Sequence, residues 1–168
     1  GFSNNGFIPS GKRQKLYQRV ANSLKDVDQN EVQIAIQTMP PFPWHFGGQS
    51  FHNLFIDAQE CKEFCAEYNY KMCLDISHSQ MACTYKKTSL LDFIKIIGSE
   101  VVHLHIADAL GVDGEGVKIG EGDVNFSETL KYLDIHCPNI PFIPEIWQGH
   151  KNMGEGFWSA LNFIKENS

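Results

Sequence analysis

Four polar residues stand at the ends of short apolar segments spread along the chain. They are Gln37, Asp75, His105 and Glu145, and the residues before each of them alternate between apolar and other types. Such alternation is typical of β-strands, and active sites of α/β proteins lie at the carboxyl ends of the strands. An amide, two carboxylates and an imidazole that converge there would suit Mn²⁺, Mg²⁺, Co²⁺ or Zn²⁺. The pattern predicts a divalent metal site; the alternative is four separately satisfied polar residues.

Two more histidines belong to the same segments. His78 follows Asp75 by three residues, so its side chain can reach the predicted site. We expect it to bind a substrate oxygen or to orient a metal ligand; the alternative is that it caps the following turn. His103 points the same way as His105 but lies about 6.5–7 Å deeper along the strand. We predict that it is a core histidine satisfied by its neighbours.

Two aromatic segments are expected to border this end of the fold. The first is the stiff loop of residues 40–45, Pro-Pro-Phe-Pro-Trp-His, in which Trp44 would form either a sugar-stacking wall or part of a hydrophobic lid. The second is residues 147–150, which directly follow Glu145. There His150 is predicted to bind substrate from the opposite side.

A glycine-rich stretch covers residues 111–122. Its glycines are not spaced as in a dinucleotide-binding loop, and no helix opens directly on it. Lys118 and Glu121 are predicted to contact a polar ligand from this loop, whereas Glu115 is expected to be solvated.

The elements that must position these residues alternate between strand and helix. Alternating residues predict strands over 32–38, 72–76, 101–106 and 142–147. Helical patterns cover 11–27, a segment that begins after Asp57, 88–97, 127–135 and 155–166. In the first helix Leu16, Val20, Leu24 and Val27 are predicted to face inward. In the third strand Val102, Leu104 and Ile106 are predicted to face the helices.

Alternating strands and helices predict a parallel sheet built from βαβ units. Open doubly wound sheets and closed barrels both satisfy this pattern. An eight-unit barrel needs about 250 residues, or roughly 31 per unit. Four units in 168 residues would therefore be half of a TIM barrel, and we treat residues 1–168 as one partial barrel domain.

Composition limits the classes of function and partner. The net charge is −6, from 14 Lys+Arg against 20 Asp+Glu, which argues against a nucleic-acid partner. No apolar run approaches the roughly 18–20 residues of a membrane span. The five cysteines match no zinc-binding spacing, and a reduced, cytoplasmic location is the better expectation.

Four motifs resemble those of the xylose-isomerase-like TIM barrels, a superfamily that includes sugar-phosphate isomerases, epimerases and endonuclease IV. The motifs are LDISHS (74–79), HLHIADA (103–109), GEGVKIGEGDVNF (114–126) and PEIWQGH (144–150). The resemblance covers about residues 30–166 and would make them the last four βα units. Residues 36–53 and 144–158 further resemble a branch attached to N-acetylneuraminate-synthase-type proteins.

The resemblance implies metal ligands at Gln37, Asp75, His105 and Glu145, the same set that the strand ends indicate. It also implies a catalytic role for Glu145 and a substrate-contacting histidine at His78. Gln37 stands where the family usually has Glu, and an amide can bind a metal but cannot act as a base. The two-base proton transfer of the isomerases is therefore in doubt.

Three functions follow as hypotheses. The first is a metal-dependent isomerase or epimerase that acts on a sugar or sugar phosphate, in sialic-acid-like sugar biosynthesis. The second, motivated by Gln37, is a non-catalytic sugar-binding or regulatory domain of a sialic-acid-synthase-type protein. The third is a metal-dependent phosphodiesterase. It is the weakest hypothesis, because two further metal ligands of endonuclease IV correspond here to Gly114 and Gly116, which have no ligating side chain.

A half barrel would leave two strand edges unpaired, which favours association. The expected protein partner is therefore either an amino-terminal half of the barrel or a second copy of this chain. The expected small-molecule partner is a sugar or sugar phosphate bound at the predicted site. Neither a nucleic acid nor a membrane is expected as a partner.

Overall fold

A computed structural model describes residues 1–45 and 48–167. Its strands are β1 (Phe2–Ser3), β2 (Ala35–Gln37), β3 (Trp44–His45), β4 (Gly48–Gln49), β5 (Phe51–His52), β6 (Lys71–Asp75), β7 (Val101–Ile106), β8 (Asp108–Leu110), β9 (Gly114–Val117) and β10 (Phe142–Pro144). Its α-helices are α1 (Ser10–Leu24), α2 (Ala58–Tyr68), α3 (Ile76–Lys86), α4 (Leu90–Ile97), α5 (Phe126–His136) and α6 (Lys151–Asn167).

The central sheet has four parallel strands in the order β2-β6-β7-β10, which is also their order along the chain. Gln37 is paired with Cys73, and Asp75 is paired with His105, so the strands end close to one another. The predicted α/β fold with a parallel sheet is therefore confirmed. Three small antiparallel pairs, β1-β5, β3-β4 and β8-β9, form in the connecting loops.

The helix-covered face of the sheet forms the main hydrophobic core. Met72, Leu74, Leu104 and Ile106 are all less than 5% exposed there, and they pack against α2, α4 and α5 in one cluster. Burial of such side chains is the main source of stability of the sheet, at about 1.5–3 kcal/mol for each.

The prediction that Val102 faces the helices is wrong. Met72 pairs with Val101 but Cys73 pairs with His103, so β7 contains one extra residue at this point. This β-bulge puts Val101 into the core and Val102 on the opposite face, where it lines a cavity with His103. Strict alternation cannot anticipate a bulge, because the bulge adds a residue to one strand only.

Helix α1 contacts the rest of the molecule through both polar and apolar residues. Arg13 pairs with Glu60 of α2 at 2.9 Å, and the Tyr17 hydroxyl donates to Glu60 at 2.9 Å. Both α1 residues are buried, together with Ala21. Of the residues predicted to face inward, Leu16 and Val20 are half-buried and pack against the core. Val27 lies beyond the helix and is exposed, so the predicted inward face extends too far towards the carboxyl end.

Side-chain caps set the starts of α2 and α4. Asp57 accepts the Glu60 amide hydrogen at the start of α2, Ser89 accepts those of Leu91 and Asp92 at the start of α4, and such caps contribute about 1 kcal/mol each. Helix α3 was not predicted. It is buried on several sides, so its sequence shows no single apolar stripe.

The remaining predictions about composition concern cysteines and membrane spans. All five cysteines are buried and unpaired. No helix in residues 1–45 and 48–167 is both long and apolar enough to cross a bilayer.

Candidate metal and substrate site

Asp75 stands at the centre of the site. It ends β6 and is only 2% exposed. Its Oδ1 accepts the amide hydrogen of His78 at 2.8 Å, which caps α3. Its Oδ2 remains directed at Gln37, His78 and His105. One oxygen therefore holds the fold, and the other faces the site.

His105 and Glu145 come from the next two strand ends. His105 Nδ1 lies 2.5 Å from Glu145 Oε2 and 3.7 Å from Asp75 Oδ2. Hydrogen bonds to Asp75, Cys73 and Glu145 raise the pKa of His105 to about 12, because an imidazolium compensates the negative charge of the two carboxylates. The Glu145 side chain is 53% exposed, so a ligand in solution can reach it.

Gln37 completes the arrangement through its amide. Its Nε2 donates to Asp75 Oδ2 at 2.9 Å and lies 3.1 Å from His105 Nδ1. To bind a cation, the amide would have to turn so that Oε1 faces the site, since only the oxygen has a free lone pair. The structure thus brings the four predicted ligands together, while their role as ligands stays a prediction.

The donor atoms fit a divalent cation. One oxygen or nitrogen from each of Asp75, His105 and Glu145 lies within 4.8 Å of the others. Bonds of about 2.0–2.2 Å to one shared ion would place such atoms roughly 3–4 Å apart, so small side-chain rotations would suffice. Two oxygens and one nitrogen, without sulfur, suit Mg²⁺, Mn²⁺, Co²⁺ or Zn²⁺.

A buried hydroxyl network that the sequence analysis missed supports Asp75. The Thr38 hydroxyl accepts the Asp75 amide hydrogen at 2.9 Å and a hydrogen bond from Ser79 at 3.0 Å. Thr38 and Ser79 are at most 1% exposed. The sequence feature that could have indicated this network is a Thr directly after Gln37, at the end of a predicted strand.

His78 lies between Thr38 and Glu115, a residue of β9. Its Nδ1 lies 2.9 Å from the Thr38 carbonyl oxygen, and its Nε2 lies 3.5 Å from Glu115 Oε2. Burial lowers the pKa of His78, but the contacts with Glu115, Asp75 and Thr38 outweigh burial and leave the pKa raised. Glu115 is exposed, as expected for a solvated residue, but it belongs to β9 rather than to an irregular loop and lies beside the site.

The β8-β9 hairpin carries Glu115 to this position. Ser77 accepts the Gly116 amide hydrogen at 3.1 Å, and the Gly116 carbonyl accepts that of Trp147 at 2.7 Å. Gly116 has a φ of +68°, and a Cβ there would lie 3.1 Å from the Trp147 nitrogen. The left-handed backbone and this close approach both favour glycine.

Asp108 anchors the rest of the glycine-rich stretch and was also missed. It is fully buried, and its two oxygens accept four backbone amide hydrogens, those of Ala109, Gly120, Gly122 and Val124. These four bonds tie residues 109–124 to a single buried side chain. Asp108 therefore organises the loop rather than binding a ligand.

Together these segments enclose a cleft of about 600 Å³. Asp75, His78, Glu115, Glu145 and His150 are among its lining residues. Lys118 and Glu121 are exposed and do not line it; the Lys118 carbonyl instead accepts the Glu121 amide hydrogen. The roles of Lys118, Glu121 and His150 in substrate binding stay predictions.

The aromatic loop of residues 40–45 packs through Phe42 against other aromatic residues. Phe42 packs with Phe7, Phe51 and Tyr85 at ring-centroid distances of 5.1–5.7 Å. Trp44 belongs to β3, but its side chain lies outside the described part of the structure, and so its role stays a prediction.

His103 differs from the prediction. It is half-buried on the face of the sheet that the helices do not cover, and its ring contacts His105 edge-on at 5.4 Å. It is therefore not a core histidine. The bulge at Val102 leaves Val102 and His103 on the same face, which opens the cavity there.

Comparisons with known proteins agree with this architecture. Residues 1–166 match the family described as xylose isomerase-like TIM barrel, so the chain belongs to that family. Among solved structures, a D-tagatose 3-epimerase-like protein has a TM-score of 0.59 at 21% identity, over 96% of this chain and 61% of that chain. The D-psicose 3-epimerase of Clostridium cellulolyticum H10, determined with D-tagatose, has a TM-score of 0.68 at 16% identity, over 98% and 60%.

An uncharacterised protein of Methanocaldococcus jannaschii is 29% identical over 105 residues, which are 61% of this chain and 32% of that protein. The chain thus spans about three fifths of the two epimerase-like structures and matches about a third of this relative. These matches confirm the predicted fold, a TIM barrel of which this chain forms a part.

Proposed function

We propose that this site binds a divalent cation and isomerises or epimerises a sugar or sugar phosphate. The observation that carries the proposal is the convergence of Asp75, His105 and Glu145 at adjacent strand ends, where Asp75 and Glu145 line the cleft. The structural likeness to proteins named as sugar epimerases supports the substrate class. The donor set supports Mn²⁺, Mg²⁺, Co²⁺ or Zn²⁺ as the cation.

In this proposal Glu145 is the catalytic base. It is the exposed carboxylate of the site, and it would remove a proton from the carbon next to the substrate carbonyl. A bound cation would polarise that carbonyl oxygen. His78, fixed by the Thr38 carbonyl, would donate to a substrate oxygen. Because Gln37 cannot act as a second base, Glu145 itself would return the proton to the neighbouring carbon in an isomerisation. In an epimerisation, a substrate hydroxyl would deliver a proton to the opposite face of the same carbon.

The test combines metal binding with proton exchange. Mn²⁺ binding is measured by calorimetry, and exchange of the substrate C–H with deuterated solvent is followed by NMR for a set of ketohexoses and their phosphates. We expect Glu145→Ala to weaken Mn²⁺ binding and to slow exchange by about 10²–10⁴-fold. Glu166→Ala removes an exposed carboxylate of α6 and serves as the matched control. Unchanged binding and exchange in Glu145→Ala would refute the assignment.

A non-catalytic sugar-binding or regulatory domain is the second candidate. It is favoured by Gln37, an amide that donates to Asp75 where a second base would be needed. Gln37→Glu separates the two functions. A large gain in exchange rate would indicate an enzyme weakened at this position, whereas binding of sugar without any gain would favour the binding domain.

Finer aspects of the function rest on the sequence alone. Participation in sialic-acid-like sugar biosynthesis depends on the likeness of residues 36–53 and 144–158 to one branch, and it remains a prediction. A phosphodiesterase is the weakest candidate, because Gly114 and Gly116 stand at the positions of two further metal ligands of endonuclease IV and have no ligating side chain. Cleavage of abasic-site DNA would be the observation in its favour.

A further inference from the structure

The lining of the cleft also includes two neighbouring basic residues. His150 and Lys151 line it together with Trp147, whereas its other charged lining residues are Asp75, Glu115, Glu145 and His78. We infer that His150 and Lys151 bind an anionic group of the substrate, a phosphate ester or a carboxylate. This inference rests on the proposed function and narrows its substrate class.

Lys151 forms no ion pair within residues 1–45 and 48–167, so no carboxylate of the described chain compensates its charge, in contrast to two other lysines. Lys71 pairs with Glu100 at 2.6 Å and Lys86 pairs with Asp57 at 2.5 Å. In a regular helix Lys151 would meet Glu155, four residues later. Here Glu155 accepts a hydrogen bond from Asn152 instead.

The backbone explains why Lys151 does not reach Glu155. Asn152, Met153 and Gly154 have φ values of +50°, +58° and +84°, so the chain runs through three left-handed residues between the two side chains. Left-handed non-glycine residues are costly. The break leaves the Lys151 ammonium group available to a ligand in the cleft.

The segment that carries these side chains is held rigidly. A Cβ on Gly149 would lie 2.4 Å from a ring carbon of Phe157, and a Cβ on Gly156 would lie 2.8 Å from the Gly149 Cα. The Trp147 amide hydrogen is bonded to the Gly116 carbonyl at 2.7 Å. These contacts hold the backbone that carries His150 and Lys151 against the cleft, so that only their side chains have to be ordered when a phosphate or carboxylate binds.

Trp147 also lines the cleft and is 75% exposed. An exposed indole is a suitable surface for the apolar face of a sugar ring. In this proposal the sugar ring contacts Trp147 while its anionic group is bound by His150 and Lys151. The three carboxylates that also line the cleft would repel an anion, which favours binding of the anion at Lys151.

The test compares a neutral ketohexose, its 6-phosphate and the corresponding keto-uronic acid as ligands. Dissociation constants are measured by calorimetry or NMR titration, in Mn²⁺ and again in EDTA, so that binding is read without turnover. We expect at least about tenfold tighter binding of one anionic sugar than of the neutral sugar. The anion that is preferred identifies the group recognised.

Lys151→Gln is expected to reduce this ratio to about one, and Lys151→Arg to retain most of it. Lys165→Gln removes an exposed lysine from the same helix and should keep the wild-type ratio. Circular dichroism checks that each variant is folded. Equal binding of neutral and anionic sugars by the wild type, or a preference that survives Lys151→Gln, would overturn the inference. Failure of the proposed function would instead appear as absence of Mn²⁺ binding or proton exchange.

Discussion

At the scale of single residues, the same residue types serve two different purposes in this chain. Asp75 and Asp108 are both buried carboxylates at or just after strand ends. Asp108 has its two oxygens saturated by four amides, whereas Asp75 keeps Oδ2 directed at other functional side chains. The availability of a lone pair, rather than residue type or burial, distinguishes the candidate ligand from the structural anchor.

His52 permits a prediction about pH and stability. It is 6% exposed, its Nδ1 has no hydrogen-bond partner among the described residues, and its ring stacks on Phe2. Burial and, to a smaller extent, the nearby positive charge of His78 lower the pKa of His52 to about 4. The unfolded chain would protonate this histidine near its ordinary pKa of about 6.5.

Since the unfolded state binds the proton first, stability is retained above about pH 6.5 and decreases as the pH falls towards 4. The shift corresponds to a loss of at most about 3 kcal/mol. Chemical denaturation between pH 7 and pH 4 should show a smaller loss for His52→Phe than for the wild type. Equal losses in the two proteins would show that His52 is not buried in its neutral form.

At the scale of elements, capping residues and close backbone contacts locate the helices. Asp75 ends β6 and at the same time caps α3, so strand and helix meet without a loop and Asp75 is held in place by both. The sequence pattern assigned Ile76 to the strand for this reason. The first turn of α3 places His78 over Thr38, which a longer connection would not do.

Two glycines in helices should respond oppositely to alanine. Gly156 lies in α6, where a Cβ would meet the backbone of Gly149 at 2.8 Å. Gly11 lies in α1, and nothing lies within 4 Å of its Cβ position. We expect Gly156→Ala to destabilise the protein by about 1–3 kcal/mol and Gly11→Ala to stabilise it by up to about 1 kcal/mol.

Denaturant titrations of both variants test this pair. Because the close contact also fixes residues 147–151, Gly156→Ala should in addition weaken binding of anionic sugars. Equal stability changes in the two variants would contradict the packing of α6 against this segment.

At the scale of the whole molecule, the central sheet has two open edges. Strands β2 and β10 each have a neighbour on one side only within the described residues. The uncovered face of the sheet carries a cavity of about 420 Å³ lined by Gln33, Ala35, Cys73, Val102 and His103, among others. An open parallel edge beside such a face favours pairing with another chain.

We therefore expect the 168-residue chain on its own to dimerise or aggregate, as measured by light scattering. Ile143 of β10 is 44% exposed at one open edge, and Ile143→Lys should reduce the associated fraction. Ile135→Lys changes a 68% exposed isoleucine of α5 and serves as the matched control. A monodisperse wild-type monomer would contradict the expectation.

The sequence by itself determined the parallel α/β fold, its partial-barrel character and the four strand-end residues. These follow from local periodicity and from the order of strands and helices, which depend on residues close together in the chain. Only the tertiary structure decided the contacts of Thr38, Glu115 and Asp108 and the bulge that puts Val101 into the core and Val102 on the opposite face. The unpaired Lys151 likewise became visible only in three dimensions. Each of these depends on hydrogen bonds or backbone angles that join or separate distant segments, and no local pattern encodes them.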